Sequence, residues 1–428
     1  MTLLEEVKKG SVPDVVRKVI VEEGLPEEMV LEGMVAGRVV IPSNRLHPPE
    51  RPCGIGARLR VKVNANIGSS PRSAEIEIEL RKLSAAEEAG ADTVMDLSTG
   101  GDLAGIKAAI LSRAKVPVGT VPIYQAAVTA GRERGRIVEM TEEEIFAAIE
   151  DHARAGVDFV TVHCGVTQRT LQTLKTSPRL MGVVSRGGAF LLEWMIHHGK
   201  ENPLYSGFDR LLDIARRWEL TLSLGDGLRP GCIDDSTDPA QVEELVVLGE
   251  LVRRCRQAGV QVMVEGPGHI PLDQVEANVR LEKAVCAGAP FYVLGPLVTD
   301  IAAGWDHVAC AIGGATAAMA GADFLCYVTP SEHLALPGEE EVRQGVVVAR
   351  IAAHAADLAR GDPRAWARDR RMALYRRRRD WEGQIKTCLD PVAARRYLKD
   401  VDRGEDYCSM CSEYCSLKIL SDRLPLRE

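Results

Sequence analysis

No apolar run in this chain approaches the ~20 residues that a membrane-spanning helix requires. The opening Met1-Thr-Leu-Leu-Glu-Glu-Val-Lys-Lys lacks the basic-then-apolar order of a secretion signal. Low-complexity stretches are absent too. These absences predict a soluble, cytoplasmic protein, and they make a disulfide framework the weakest reading of its cysteines. An excess of positive charge is also missing. The formal net charge is −8, which argues against nucleic acid as a partner, because holding a phosphate backbone takes clustered positive charge. One local exception exists, Arg368, Arg370, Arg371 and Arg376 to Arg379. On a helix these spread around several faces and read as a solvated or subunit-facing surface.

What is present is enough apolar residue, 46% of 428, to bury a large core. Residues 1–56 read as a small N-terminal cap: short helices over 3–9, 13–23 and 26–36, then a short strand at 38–41. From 57 the pattern becomes short apolar runs separated by amphipathic helical stretches, the signature of parallel βα units. A weak repeat supports this, with Gly90, Gly156, Gly259, Gly288 and Gly321 each placed to end a helix in a left-handed residue before a buried strand. Strands are expected at 59–66, 93–97, 116–124, 159–163, 180–185, 220–225, 260–265 and 291–294, with 324–328 a ninth candidate. Eight units over about 250 residues match an α/β fold of the (β/α)8 TIM-like barrel type, here 57–336, better than a doubly wound sheet. Beyond it a helical arm is expected over 337–400, with helices at 339–360, 363–386 and 391–399, and then a cysteine-bearing tail over 401–428.

Of eleven cysteines, eight are scattered singly, as small buried hydrophobes in a reducing compartment are. The other three, Cys408, Cys411 and Cys415, are close enough to converge on one metal. Three thiolates suit a 4Fe-4S cluster with one iron left open to another molecule. A structural zinc site is the alternative, with Cys388 or a histidine as fourth ligand.

A βα barrel builds its active site at the carboxyl ends of its strands, and here nearly every candidate strand ends in polar or glycine-rich sequence. Asn66, Met95, Tyr124, His163, the Ser185-Arg186-Gly187 turn, the Asp226-Gly227-Leu228-Arg229 loop, Glu265 and Tyr292 fall there. An arginine beside glycines suits a phosphate ester, through charged forks and close backbone amides, although any one such glycine alone would equally serve a tight turn. Glu265 is placed to act as a base or to clamp a hydroxyl or amine; its plainer reading is an ion pair with an arginine. Of nine histidines, His163, His269, His307 and His333 follow strands or lie in glycine-rich loops, and two on neighbouring strand ends would hold a divalent ion with open positions. His47, His152, His197, His198 and His354 read as structural or solvent-facing.

Several stretches together resemble the radical S-adenosylmethionine phosphomethylpyrimidine synthase family of thiamine biosynthesis. They are Lys62-Val-Asn-Ala-Asn-Ile-Gly, Thr93-Val-Met-Asp-Leu-Ser-Thr-Gly-Gly, Val118-Gly-Thr-Val-Pro-Ile-Tyr, Lys200-Glu-Asn-Pro-Leu-Tyr, Leu224-Gly-Asp-Gly-Leu-Arg-Pro-Gly, Met263-Val-Glu-Gly-Pro-Gly-His and Tyr292-Val-Leu-Gly-Pro-Leu-Val-Thr-Asp-Ile. The resemblance implies a lyase that turns 5-aminoimidazole ribotide into 4-amino-5-hydroxymethyl-2-methylpyrimidine phosphate, using S-adenosyl-L-methionine and a 4Fe-4S cluster on Cys408, Cys411 and Cys415. It implies substrate contacts at Asn66, Met95, Tyr124, His163, Ser185, Arg186, Gly187, Asp226, Gly227, Leu228, Arg229, Glu265 and Tyr292. It further implies a divalent metal, zinc in the family, on His269 and His333, a reduced flavodoxin- or ferredoxin-type electron donor, and a homodimer. Two features depart from the pattern: three residues rather than four separate Cys411 from Cys415, and Trp305 stands where tyrosine is expected. The related 5-hydroxybenzimidazole synthase of cobalamin lower-ligand biosynthesis, which uses the same ribotide, is the alternative. Two other classes compete, a zinc-stapled binding protein using the Arg376 to Arg379 face, and a barrel zinc hydrolase with Glu265 as base.

Overall fold

The computed structural model describes residues 1–398, 408 and 410–420, and the chain divides into two compact units, Met1–Ala356 and Asp357–Glu428. Of the expected arm and tail, residues 399–407, 409 and 421–428 lie outside the described residues.

In the first unit, helices Leu3–Lys8, Asp14–Glu23 and Glu27–Val35 precede a two-stranded antiparallel pair, β1 (Val39–Val40) with β2 (Ile55–Gly56). Leu4, Val7, Val16, Val19, Val30, Met34, Val39, Ile41 and Leu59 form a small core of their own. The eight strands that follow close into a parallel barrel: β3 (Lys62–Ile67), β4 (Thr93–Asp96), β5 (Val118–Thr120), β6 (Phe159–Val162), β7 (Thr221–Leu224), β8 (Val262–Gly266), β9 (Phe291–Leu294) and β10 (Phe324–Cys326). The ninth candidate run is therefore the closing strand: Phe324 pairs with Lys62 of β3 on one side and Tyr292 of β9 on the other. Glycines on two strands make room for the aromatic packing inside. A Cβ at Gly119 would stand 2.3 Å from the Phe159 ring, and one at Gly266 1.9 Å from the Phe291 ring.

The expectation of a strand at 180–185 was wrong. β6 pairs directly with β7, so no edge is left for a strand between them, and an unpaired strand would leave its backbone groups without partners. The apolar run is instead a loop with Leu180 74% and Met181 54% exposed. The strand expected at 116–124 is also too long. β5 ends at Thr120 and Pro122 opens the helix Pro122–Arg134, where its missing N–H costs nothing.

The repeat carries more than its glycines. In three copies the aspartate two residues after the glycine accepts the backbone N–H that opens, or nearly opens, the preceding strand. Asp92 takes Val63 N, Asp158 takes Val118 N and Asp323 takes Phe291 N, at 2.8, 2.8 and 3.0 Å. A basic side chain lies beside each: Arg60 beside Asp92, His47 3.8 Å from Asp158 and Lys283 2.7 Å from Asp323. These carboxylates staple the floor of the barrel, at the amino ends of its strands.

In the second unit, Asp362 caps the helix Pro363–Arg378 and Asp390 caps Pro391–Tyr397, each with proline at the first helical position. The single helix expected at 363–386 is two. Arg379 turns left-handed at φ 56° and Asp380 caps a new helix, Trp381–Thr387, by accepting Gly383 N at 2.8 Å.

Candidate functional site at the barrel mouth

The carboxyl ends of the strands surround a solvent-open pocket of about 470 Å³. It is lined by Asn66, Met95, Tyr124, His163, Asp226, Arg229, Glu265 and Tyr292, all expected from sequence, and also by Thr161 and Cys326, with Leu97, Val121 and Leu294 among the apolar lining. Thr161 could have been found from β6, since it lies two residues before His163 and so on the same face of the strand. Cys326 went unread because the strand that presents it was the uncertain ninth candidate.

A hydrogen-bond chain fixes the deep side of the pocket. Asn64 Nδ2 donates to Tyr292 Oη and to Asn66 Oδ1, both at 2.7 Å; Tyr292 Oη donates to Met95 Sδ at 3.6 Å, and Asn66 Nδ2 to Cys326 Sγ at 3.0 Å. Met95 is thus a hydrogen-bond acceptor as well as packing. Tyr124 lies in the first turn of the helix that Pro122 opens, and the Arg186 guanidinium sits 4.9 Å from its ring centroid.

The charged side is built on β7 and β8. Arg229 Nη1 donates to Asp226 Oδ1 at 2.9 Å, while Asp226 Oδ2 is buried with no hydrogen-bond partner among the described residues. Burial pushes Asp226 up to about 6 against the pull of Arg229. Burial and the Asp226 charge push Glu265 up to about 7, although Thr161 and Ser223 donate to its Oε1 at 2.5 and 3.0 Å. Glu265 is therefore not simply an arginine's ion-pair partner. Burial and the Arg229 charge drive His163 down to about 3, so its ring is neutral.

Ser185, Arg186, Gly187, Gly227 and Leu228 do not line the pocket wall, and each has a different place. Ser185 caps the helix Arg186–His198 by accepting Gly188 N at 3.3 Å, which sets the helix N-terminus and its unpaired N–H groups beside the pocket. Gly187 is required by packing, because a Cβ there would stand 2.2 Å from the His163 ring. Leu228 is fully buried and holds the loop by its backbone.

His269 and His333 come together with ring centroids 5.2 Å apart. Their strands, β8 and β10, flank β9 rather than adjoin each other as expected, and the loops after them span the gap. His269 Nδ1 hydrogen-bonds Asp300 Oδ1 at 2.7 Å, leaving Nε2 as the free ring nitrogen, the usual arrangement behind a metal-binding imidazole. His333 adopts φ 62°, and Asp306 Oδ2, 3.5 Å from its Nδ1, is buried with no hydrogen-bond partner among the described residues. Two imidazoles with carboxylates behind them suit an ion that keeps open positions. Among the described residues no group of three or more His, Cys, Asp or Glu side chains is arranged to hold a metal. The rival, His307, accepts from Gln344 Nε2 at 3.1 Å on its Nε2, and its Nδ1 is buried with no hydrogen-bond partner among the described residues.

In the second unit, Cys408, Cys411 and Cys415 lie on a tight turn. Ser412 N donates to Cys408 O at 3.1 Å and Tyr414 N to Cys411 O at 2.9 Å; Cys411 is exposed and the other two half-buried. Three accessible thiols on one turn fit the donor set of an iron-sulfur cluster. Cys388, the alternative fourth ligand, places its thiol 3.1 Å from Ile385 O.

Among the described residues no helix is long and apolar enough to cross a membrane. The Radical SAM ThiC family model matches residues 2–422. Phosphomethylpyrimidine synthases of Thermoanaerobacter sp. (strain X514) and Moorella thermoacetica are 57% and 55% identical to the chain over 426 and 425 residues. One from Dehalococcoides mccartyi is 56% identical over 424 residues, and each of these alignments covers 99% of this chain and 98% of the relative. A barrel with polar strand ends, a three-thiol turn and a likeness that runs nearly end to end have one explanation: the chain belongs to the Radical SAM ThiC family.

Proposed function

We propose that this chain is the enzyme that makes the thiamine pyrimidine, converting 5-aminoimidazole ribotide into 4-amino-5-hydroxymethyl-2-methylpyrimidine phosphate as a radical S-adenosylmethionine lyase. The observation that carries the reading is the mouth pocket, lined by cationic Arg229 and the carboxyl of Glu265, with the N-terminus of the Arg186–His198 helix packed behind its His163 and Tyr124 wall. When bound, a 4Fe-4S cluster on Cys408, Cys411 and Cys415 with S-adenosyl-L-methionine would supply a 5′-deoxyadenosyl radical.

The chain's own residues do the rest. Arg229 and Arg186, with the helix amides, bind the phosphate, a group that matches the guanidinium fork. Glu265, close to half-ionised at neutral pH, accepts from or donates to the ribotide amine or a hydroxyl, with Thr161 and Ser223 fixing its orientation. Neutral His163 offers one ring nitrogen to the substrate without adding charge. Tyr292, Met95, Asn66 and Tyr124 shape the deep wall, and Leu97, Val121 and Leu294 supply its apolar lining. His269 and His333 hold a divalent ion, zinc on the family precedent, whose open positions take water or groups of S-adenosyl-L-methionine. The same reading takes a reduced flavodoxin- or ferredoxin-type protein as electron donor, a homodimer as the assembly and the cytoplasm as the compartment.

The test is anaerobic reconstitution followed by product analysis. About four irons per chain and a brown chromophore are expected, both lost on Cys408→Ala, Cys411→Ala or Cys415→Ala. Incubated with ribotide, S-adenosyl-L-methionine and a reductant, the loaded protein should yield the pyrimidine phosphate by mass spectrometry. Formation of 5-hydroxybenzimidazole, or a zinc-only tail after anaerobic preparation, refutes the proposal.

A further inference from the structure

Two side chains outside the pocket act on its most important loop. Arg179 lies in the segment between the helices Gln168–Thr176 and Arg186–His198, with its side chain 2% exposed. Its guanidinium makes a two-point contact with Asp238, Nε to Oδ2 at 2.7 Å and Nη2 to Oδ1 at 2.6 Å. The same group donates to two carbonyls of the Asp226–Arg229 loop, Leu228 O at 2.6 Å and Arg229 O at 3.4 Å. Glu244 of the helix Pro239–Ala258 in turn accepts Gly227 N at 2.8 Å on Oε1 and Leu228 N at 2.7 Å on Oε2. Asp238 is the N-cap of that helix.

Both polar ends of Leu228, its N–H and its C=O, are thus taken by buried ionisable side chains. A surface loop needs no such device, because water would satisfy the same groups. The arrangement also sets the loop against its neighbour. Gly188 lies so close to the loop that a Cβ there would stand 2.2 Å from Gly227 O, and Arg179 belongs to the segment that leads into Ser185 and Arg186. One clamp therefore spans both arginine-bearing turns.

We infer that Arg179 and Glu244 are positioning residues for substrate recognition: gripping the Asp226–Arg229 loop by its carbonyls and its amides, they set the separation of Arg229 and Arg186 to fit a phosphate ester. This rests on the proposed reading of the mouth pocket as the ribotide site. The clamp touches no reacting atom. Loosening it lets Arg229 drift, and misplacement of about 1 Å at a binding group costs roughly 10- to 100-fold.

The experiment compares Arg179→Lys and Glu244→Gln with the parent as reconstituted enzymes, measuring KM for ribotide, KM for S-adenosyl-L-methionine, kcat, iron content and melting temperature. Arg179→Lys keeps the charge and loses the fork; Glu244→Gln keeps the shape and exchanges one acceptor for a donor facing an N–H. The expected result is a rise of roughly tenfold or more in the ribotide KM, with iron content and the KM for S-adenosyl-L-methionine unchanged. Equal losses for both substrates, or an unchanged ribotide KM in both variants, would overturn the inference. If one variant is insoluble the other decides, and insolubility of both assigns the pair to the fold and overturns it too. A parent enzyme that does not turn over ribotide would instead overturn the reading of the site, which separates the two failures.

Discussion

The two ends of the barrel use the same residue types to opposite effect. At the floor, Asp92, Asp158 and Asp323 each accept a backbone N–H at or next to a strand start and lie beside a basic side chain; the Asp92 carboxyl is held below its usual range by Arg60 and Lys62 despite burial, while burial pushes Asp158 up. At the mouth, Asp226 keeps an oxygen without a partner, Glu265 is pushed up to about 7 and His163 is driven down to about 3. The ion pairs of Asp92 with Arg60 and of Asp323 with Lys283 serve the fold. The incompletely paired groups at the mouth cost stability and stay available to a ligand, as the proposed active site requires. Substitutions at the mouth should therefore cost activity, and those at the floor stability.

The largest effect expected is at Arg229. Arg229→Lys should lower kcat/KM for ribotide roughly 100-fold, by losing the two-point fork, while the melting temperature moves by no more than about 3 °C. Steady-state kinetics beside calorimetry checks this, and a large fall in melting temperature would erase the contrast between the two ends. Next, His269→Ala or His333→Ala should empty the proposed second metal site while the iron content stays full, as read by elemental analysis. Loss of that metal in His307→Ala alone would move the site.

At the floor the expectation reverses. Asp323→Asn leaves Lys283 without its closest carboxylate and should cost about 3 kcal/mol in denaturant unfolding, with kcat/KM within about twofold of the parent. The smallest effect is pH-linked. Glu265 has its folded pKa raised to about 7, from roughly 4.3 in an unfolded chain. Folding thus favours its protonated form, and the stability this contributes is present in acid and lost as pH rises through about 7. Glu265→Gln should then be more stable than the parent at pH 8 by roughly 1–3 kcal/mol, a gap that narrows toward pH 5. The same variant should lack the limb of the kcat/KM profile that rises through pH 7. A stability gap independent of pH would show that Glu265 is not the titrating group.

Much of this site was legible in the chain itself. Strand ends carry the active site in a βα barrel, so polar residues closing apolar runs located Asn66, His163, Glu265 and Tyr292 before any coordinates. The three-thiol spacing likewise pointed to a metal on local chemistry alone. Reading failed where partners decide the outcome. The 180–185 run has strand-like composition, yet β6 and β7 already pair with each other, and Tyr124 passed for a strand end because Pro122 was not read as a helix start.

The sequence by itself determined the repeating helix, glycine, strand unit, the polar strand ends and the thiol turn, because each is a pattern among near neighbours governed by local backbone and side-chain chemistry. Only the tertiary structure decided which run closes the barrel, that the aspartates of the repeat staple the floor, and that Arg179 and Glu244 grip one loop. Those outcomes depend on hydrogen-bond partners 16 to 59 residues apart for the clamp and up to 40 for the floor. A buried amide must find an acceptor, but its neighbours in the chain do not say which one, and closing the barrel is what brings the two within reach.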